Sequence, residues 1–247
     1  MTQQQYLDMQ HAHYEKEANR WSLTNKNPVV GGYDKHNRWP DYDVYLFKDF
    51  DTRNLIALDY GTGPGRNIIK FNNRFKRIDG GDIGERNIEN AEINLAEAGI
   101  TNSKLFVCDG KTIPTKKSSY DVVFSVICFQ HIAMHSVRFS IMEEAYRVLK
   151  KNGKFCFQMG FGGRDETNAN YVTYTQREQN RIRTAGYYDN PSDVHTTNGF
   201  YDTSVTDPMQ LEDDLTKIGF QDFKYDLRPT GPGDTHKRWI FAQATKK

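Results

Sequence analysis

The sequence predicts an α/β protein whose mainly parallel sheet is covered by helices on both faces. Three observations carry this reading. Short apolar runs alternate with helical patterns between residue 53 and about 159, the order that builds βαβ crossovers. The connections are short, and crossovers within one sheet are right-handed, which fixes the general layout. Finally, Gly61, Gly63 and Gly65 stand directly behind the first apolar run, at the point where an α/β sheet brings its backbone close to a ligand.

The elements follow in order. Residues 1 to about 52 are polar, aromatic-bearing and weakly periodic, and are expected to form an N-terminal helical cap or lid. Within them "WPDYDVYLFKDF" predicts a short helix with Pro40 near its first turn and Val44, Phe47 and Phe50 along one side. "LIALDY" is the first strand, "RNIIKFNNRF" a helix, and "KRIDGGDI" the second strand. "ERNIENAEINLAEAG" is helical, since Ile88, Ala91, Leu95 and Ala98 recur at helical spacing and Gly99 supplies a stop. "SKLFVCDG" and "YDVVFSVICF" are the third and fourth strands. "HSVRFSIMEEAYRVLKKNG" is the clearest helix, with Val137, Ile141, Ala145 and Val148 on one stripe and Lys150 and Lys151 matching its C-terminal dipole. "KFCFQM" is the fifth strand. Residues 160 to about 206 break the rhythm with Asn, Thr, Tyr, Gly and Arg. A helix in "DPMQLEDDLTKIGF" then precedes two final strands, "QDFKYDLRP" and "KRWIFAQAT".

Composition narrows the function classes. A chain of 247 residues can bury most of its unfolded surface without disulfide staples. The formal net charge of +1 carries no basic surplus for a nucleic-acid footprint, so a nucleic-acid partner is not expected. Cys108, Cys128 and Cys156 sit in strand-like runs without C-x-x-C spacing, which favours reduced thiols over zinc or redox chemistry. His11 and His13 are two apart, which does not put them on one helical face, and no metal site is expected. The start lacks the basic and apolar regions of a signal peptide, and no run reaches a membrane span, so a cytoplasmic protein is expected.

The glycine turn separates two cofactor classes. Dinucleotide folds want G-x-G-x-x-G, with a third glycine for helix–strand packing. Here Gly65 comes one residue early and Arg66 occupies the packing position. Asp59 also ends the strand, where a pyrophosphate prefers no anion. Asp59-Tyr60-Gly61-Thr62-Gly63-Pro64-Gly65 instead reads D-x-G-x-G-x-G, and Asp82 ends the second strand about twenty residues beyond Gly61, the spacing at which an acid meets ribose hydroxyls.

These residues resemble the class I S-adenosylmethionine-dependent methyltransferases. The likeness extends through "CDG" after the third strand, "SSYDVVFSVICFQHI", "AYRVLKKNGKFCFQ" and "LTKIGFQDFKYDL", covering roughly residues 53–160 and 207–245. It implies a Rossmann-like seven-stranded methyltransferase sheet in the order 3-2-1-4-5-7-6, the last strand antiparallel. The implied cofactor is S-adenosyl-L-methionine, with S-adenosyl-L-homocysteine as product. It is expected at Asp59, Tyr60, Gly61, Thr62, Gly63, Asp82, Ile83, Asp109, Gly110 and Ser125. Asp59 would meet the cofactor's amino-acid end, Asp82 the ribose and Asp109 the adenine amino group. Asp109-Gly110 is equally an ordinary turn dipeptide, and Asp121 is read as structural.

His131 follows the fourth strand and is the candidate general base. The alternative is that it packs or hydrogen-bonds near the helix start; Gln130 is a separate candidate positioning group. His195 and His236 lie in loops without a nameable partner. The segment from 160 to 206, with Tyr171, Tyr174, Arg177 and Arg181, is expected to form a lid over the acceptor together with the N-terminal zone. Trp21, Arg38 and Trp39 could close over the cofactor or simply anchor packing. "SVICF" lacks the [DN]-P-P-[YFW] signature of enzymes that methylate exocyclic or amide nitrogens. The expected acceptor is an oxygen or nitrogen of a small molecule, with a thiol left open. An RNA or protein acceptor, or an inactive nucleoside-binding module, are the alternatives.

Overall fold

The computed structural model describes residues 1–19, 42–162, 184–185, 187–188, 202–230 and 236–247. Its centre is a twisted sheet built from β1 (Ile56–Tyr60), β2 (Arg77–Asp82), β3 (Leu105–Val107), β4 (Tyr120–Ser125), β5 (Leu149–Phe161), β8 (Phe220–Pro229) and β9 (Arg238–Lys246). The order is β3-β2-β1-β4-β5-β9-β8. The first five strands are parallel, while β9 runs antiparallel to both β5 and β8. With β8 and β9 as its sixth and seventh strands, this is the order expected from the sequence.

Alternation along the strands divides the core in two. Leu58, Val123, Phe155 and Phe157 point to one layer, with α5 (His135–Val148) and α6 (Met209–Ile218) packed against it. Ala57, Val122, Phe124 and Cys156 point to the other, under α3 (Arg66–Phe71) and α4 (Glu85–Glu97). Buried strands with both faces covered read as continuous apolar runs, as these do. Asp121 anchors the lower edge by accepting from the Ile56 amide and from Lys150, each at 2.9 Å.

Two expectations are corrected. The helix expected around Val44 is α2 (Tyr42–Leu46), but Val44 is 61% exposed, and Tyr42, Leu46 and Phe47 make the buried contact. Ala98 is also exposed, because α4 closes at Glu97 and the chain turns through Gly99. The longest N-terminal element, α1 (Gln3–Ala18), came without a visible apolar stripe. It starts with a capping box in which Thr2 and Gln5 bond reciprocally.

The segment after β5 contributes β6 (Thr184–Ala185) and β7 (Asp202–Val205). β7 pairs with β5 at Gly160↔Ser204 and Phe161↔Val205. β9 already occupies one edge of β5 along Lys154–Phe161. β7 therefore takes the other edge, beyond the point where β4 stops at Ser125↔Phe157. The inserted strand thus continues the sheet directly above the end of β4.

Candidate active site

The glycine turn sits at the C-terminal ends of the central strands. Gly61, Gly63 and Gly65 have φ of 75°, 53° and 83°, values that side chains with a Cβ rarely adopt. At Gly61 the reason is contact: a Cβ there would lie 2.3 Å from Cys128 Sγ. At Gly63 the positive φ alone favours glycine, since a Cβ would meet nothing within 4 Å and the space beside it is open. The turn is tied to β2, whose Gly81 carbonyl accepts from the Gly61 and Thr62 amides at 2.8 and 3.1 Å.

Asp82 braces the same turn. Its carboxylate accepts from the Gly63 amide at 2.8 Å, the Gly84 amide at 2.9 Å and Asn87 at 3.0 Å. A carboxylate has about four acceptor directions, so one remains. Burial raises the Asp82 pKa, against the pull of those three donors. Asp59 is different. It is fully buried, and neither oxygen finds a hydrogen-bond partner. Burial lifts its pKa to about 7, while neighbouring Thr62, Asn67 and Arg66 pull the other way. Thr62 is also buried with its hydroxyl unpartnered.

The other expected cofactor residues take less open positions. Ser125 is fully buried and donates to the Tyr60 carbonyl at 2.7 Å, tying the ends of β4 and β1 together. Among the described residues, Asp109 accepts within its own turn, from the Lys111 and Thr112 amides at 2.8 and 2.6 Å and the Thr112 hydroxyl at 2.9 Å. A Cβ on Gly110 would lie 2.5 Å from Leu7 of α1 and 3.1 Å from Ile83. Helix α1 therefore covers this end of the rim. It reaches along it as well: Glu15 accepts from the Arg86 amide of α4 at 3.0 Å, and Gln10 donates to the His131 carbonyl at 3.0 Å.

At the opposite end of the rim, β4 ends in a strained turn. Ile127 has a φ of 53°, unusual for a β-branched residue. Gln158 of β5 holds it, accepting from the Ile127 amide at 2.9 Å and donating to Gln130 at 3.1 Å. Beyond this turn His131 Nδ1 lies 2.6 Å from Asp202 of β7. Burial alone would lower the imidazole pKa, but the charge and hydrogen bond of Asp202 raise it above its ordinary value. Burial pushes the Cys128 thiol up to about 12, which rules out a resting thiolate there.

The methyltransferase-domain family matches residues 57–153, from β1 into β5. That stretch contains the glycine turn, Asp82, Asp109 and His131. The match identifies residues 57–153 as a methyltransferase domain. Solved structures share its fold. An S-adenosylmethionine-dependent methyltransferase of Methanosarcina mazei is 18% identical, with a TM-score of 0.58 over 81% of this chain and 96% of that one. A Haemonchus contortus phosphoethanolamine N-methyltransferase, solved with phosphomonomethylethanolamine and S-adenosylhomocysteine, is 19% identical with a TM-score of 0.62. It spans all of this chain, which covers 61% of it. The protein bound to the Trm112 methyltransferase activator of Haloferax volcanii is 14% identical, with a TM-score of 0.56 over 100% and 99% of the two chains. No curated protein matches in sequence.

Sequence reasoning missed Asp202 and its link to His236. His236 is fully buried, with Nε2 3.6 Å from Asp202. Nothing in "NGFYDTSV" marks Asp202, because its partner lies 71 residues away. Trp21, Arg38, Trp39, Tyr171, Tyr174, Arg177, Arg181 and His195 lie outside the described residues. Among the described residues, no helix is long and apolar enough to cross a membrane, and no group of His, Cys, Asp and Glu could hold a metal ion.

Proposed function

We propose that this methyltransferase passes a methyl group from S-adenosylmethionine to an oxygen or nitrogen of a small-molecule acceptor. The observation that carries the reading is Asp59, a wholly buried carboxylate without a hydrogen-bond partner at the base of an open glycine turn. A buried acid left unpaired is costly, and a cationic ligand removes that cost. The residues present fit the cofactor: Asp59 would meet its ammonium, the open face at Gly63 admits it, and the remaining acceptor direction of Asp82 would meet a ribose hydroxyl. When bound, the cofactor supplies an electrophilic methyl on sulfur.

The protein's part is alignment, water exclusion and removal of one proton. Helix α1 and the segment after β5 would cover the acceptor, and His131 would accept the acceptor's proton. Calorimetry with S-adenosylmethionine, S-adenosylhomocysteine and NADH is expected to show micromolar binding of the first two and none of the third. Dinucleotide binding without the sulfonium compound would sink the reading. A turnover screen would begin with phosphoethanolamine and histamine-type amines, which the names of similar structures suggest, and continue through phenols and alcohols. Binding without turnover on any acceptor would leave a nucleoside-binding module.

A further inference from the structure

His131 could be a base by virtue of its position alone, but its surroundings define more. We propose that Asp202, delivered by the segment inserted between β5 and α6, is the positioning residue of His131. It fixes the proton on Nδ1, so that Nε2 is the atom that accepts the proton lost by an O–H or N–H acceptor. This rests on the methyl-transfer reading above and deepens it, because only an acceptor that must lose a proton uses such a pair.

Geometry supports the assignment first. The Nδ1–Asp202 distance is 2.6 Å, and an ionised carboxylate can only accept, so the ring proton sits on Nδ1. Nε2 has no hydrogen-bond partner among the described residues, and the side chain keeps 32% of its surface exposed. Extending the β5–β7 register by two residues places Asp202 level with Gln158, the residue that holds the turn at the end of β4. Both braces of the His131 loop therefore stand side by side at the top of the sheet.

The carboxylate is itself held in place. Arg138 of α5 is fully buried and donates to the Ala133 carbonyl at 2.8 Å and the Thr203 hydroxyl at 3.0 Å. It also donates to the carbonyls of Ile132 and Tyr187. One side chain thus fastens the residues after His131 to the residue after Asp202. The distance between base and carboxylate is set by a buried cation, not by a loop alone.

The charges around the pair act in the same direction. His131 and His236 pull the Asp202 carboxyl far below the usual carboxylate range, overcoming the burial that would raise it. Among the described residues, the other titratable groups near the pair are His236, Tyr6 and Tyr14 of α1, Cys128 of the His131 loop, and Arg138. The Tyr14 phenol is held neutral by burial and by the nearby Cys128, Asp202, Tyr6 and Asp82. Tyr6 is likewise raised to about 12 by burial. In the step, the acceptor's X–H bond breaks and leaves its electron pair on X, and a new N–H bond forms at Nε2. The resulting imidazolium stays beside Asp202 until water takes the proton.

The test begins with the ligand-free protein. Heteronuclear NMR titration of the histidines should show His131 with its neutral proton on Nδ1 and a pKa above the ordinary value of about 6.5. In Asp202→Asn that pKa should fall by about one unit or more. With an acceptor from the screen, Asp202→Asn should lower kcat about 10- to 100-fold. Its acidic limb should shift to lower pH in step with the NMR value, with the S-adenosylhomocysteine Kd unchanged within twofold. Asp202→Glu, which keeps the charge, should recover most of the loss. If Asp202→Asn does not fold, the titration of the unsubstituted protein decides: a proton on Nε2, or a pKa at or below the ordinary value, overturns the proposal. An unshifted His131 in a folded Asp202→Asn also overturns it. Full turnover by His131→Ala would instead defeat the base reading itself, and the proposal with it.

Discussion

Asp59 shows how much a single residue depends on what surrounds it. In the sequence it is one acid before a glycine turn; in the fold it is a buried carboxyl with a pKa of about 7. Between the unfolded value near 4 and that folded value, the native state keeps a proton that the unfolded chain has lost. The stability this group contributes is full below about pH 4 and falls as pH rises toward 7. Asp59→Asn should therefore flatten the pH dependence of stability across that window and be more stable than the parent at pH 8, as read by urea unfolding. An ammonium beside Asp59 favours its ionised form, so S-adenosylmethionine should bind more tightly as pH rises from 5.5 to 7. Asp59→Asn should weaken binding about tenfold, equivalent to about 1.4 kcal/mol, and remove that trend. An unchanged Kd in the variant would take Asp59 out of the site. Asp82 was legible for the same reason as Asp59, as an acid at a strand end. Ser125 and Asp109 were named by resemblance, and their visible bonds are to the protein itself.

At the scale of elements, the strands and the helices with an apolar stripe could be read directly, because burial on one face leaves a period in the sequence. Helix α1 left none. Its buried side is Tyr6, Leu7, Gln10 and Ala18, a face that is half polar because it packs on backbone groups at the rim. Tyr6 accepts from the Ala133 amide at 2.7 Å and from Gln10. The only local signal was the T-x-x-Q cap at its start. Tyr6→Phe should cost about 1–2 kcal/mol in urea unfolding, since it leaves a buried amide unpaired. It should also speed hydrogen exchange at Ala133. An unaffected Ala133 amide would mean that α1 does not fasten this end of the rim.

Across the whole molecule, one buried cation, Arg138, ties the residues after His131 to β7, beside the β5–β7 ladder and the His131–Asp202 contact. Arg138→Ala would leave the Ala133 and Tyr187 carbonyls and the Thr203 hydroxyl without this donor, and the Ile132 carbonyl with only a long bond from Thr203 at 3.4 Å. It should destabilise the protein by about 3 kcal/mol or more, since each buried acceptor left unpaired costs about 1–3 kcal/mol. A thermal or urea unfolding curve within 1 kcal/mol of the parent would show that β7 is held by other means. The strands, both helical layers and the glycine turn were determined by the sequence alone, because each is written in local periodicity or in residues that neighbour one another, whereas the order of the strands in the sheet came only with the family resemblance. Tertiary structure alone decided which carboxylate faces His131, which side chain holds β7, and how α1 lies along the rim. Those contacts join residues 65 to 127 positions apart. They exist only once β7 takes the free edge of β5 and α1 lies across the strand ends, and no local pattern records either event.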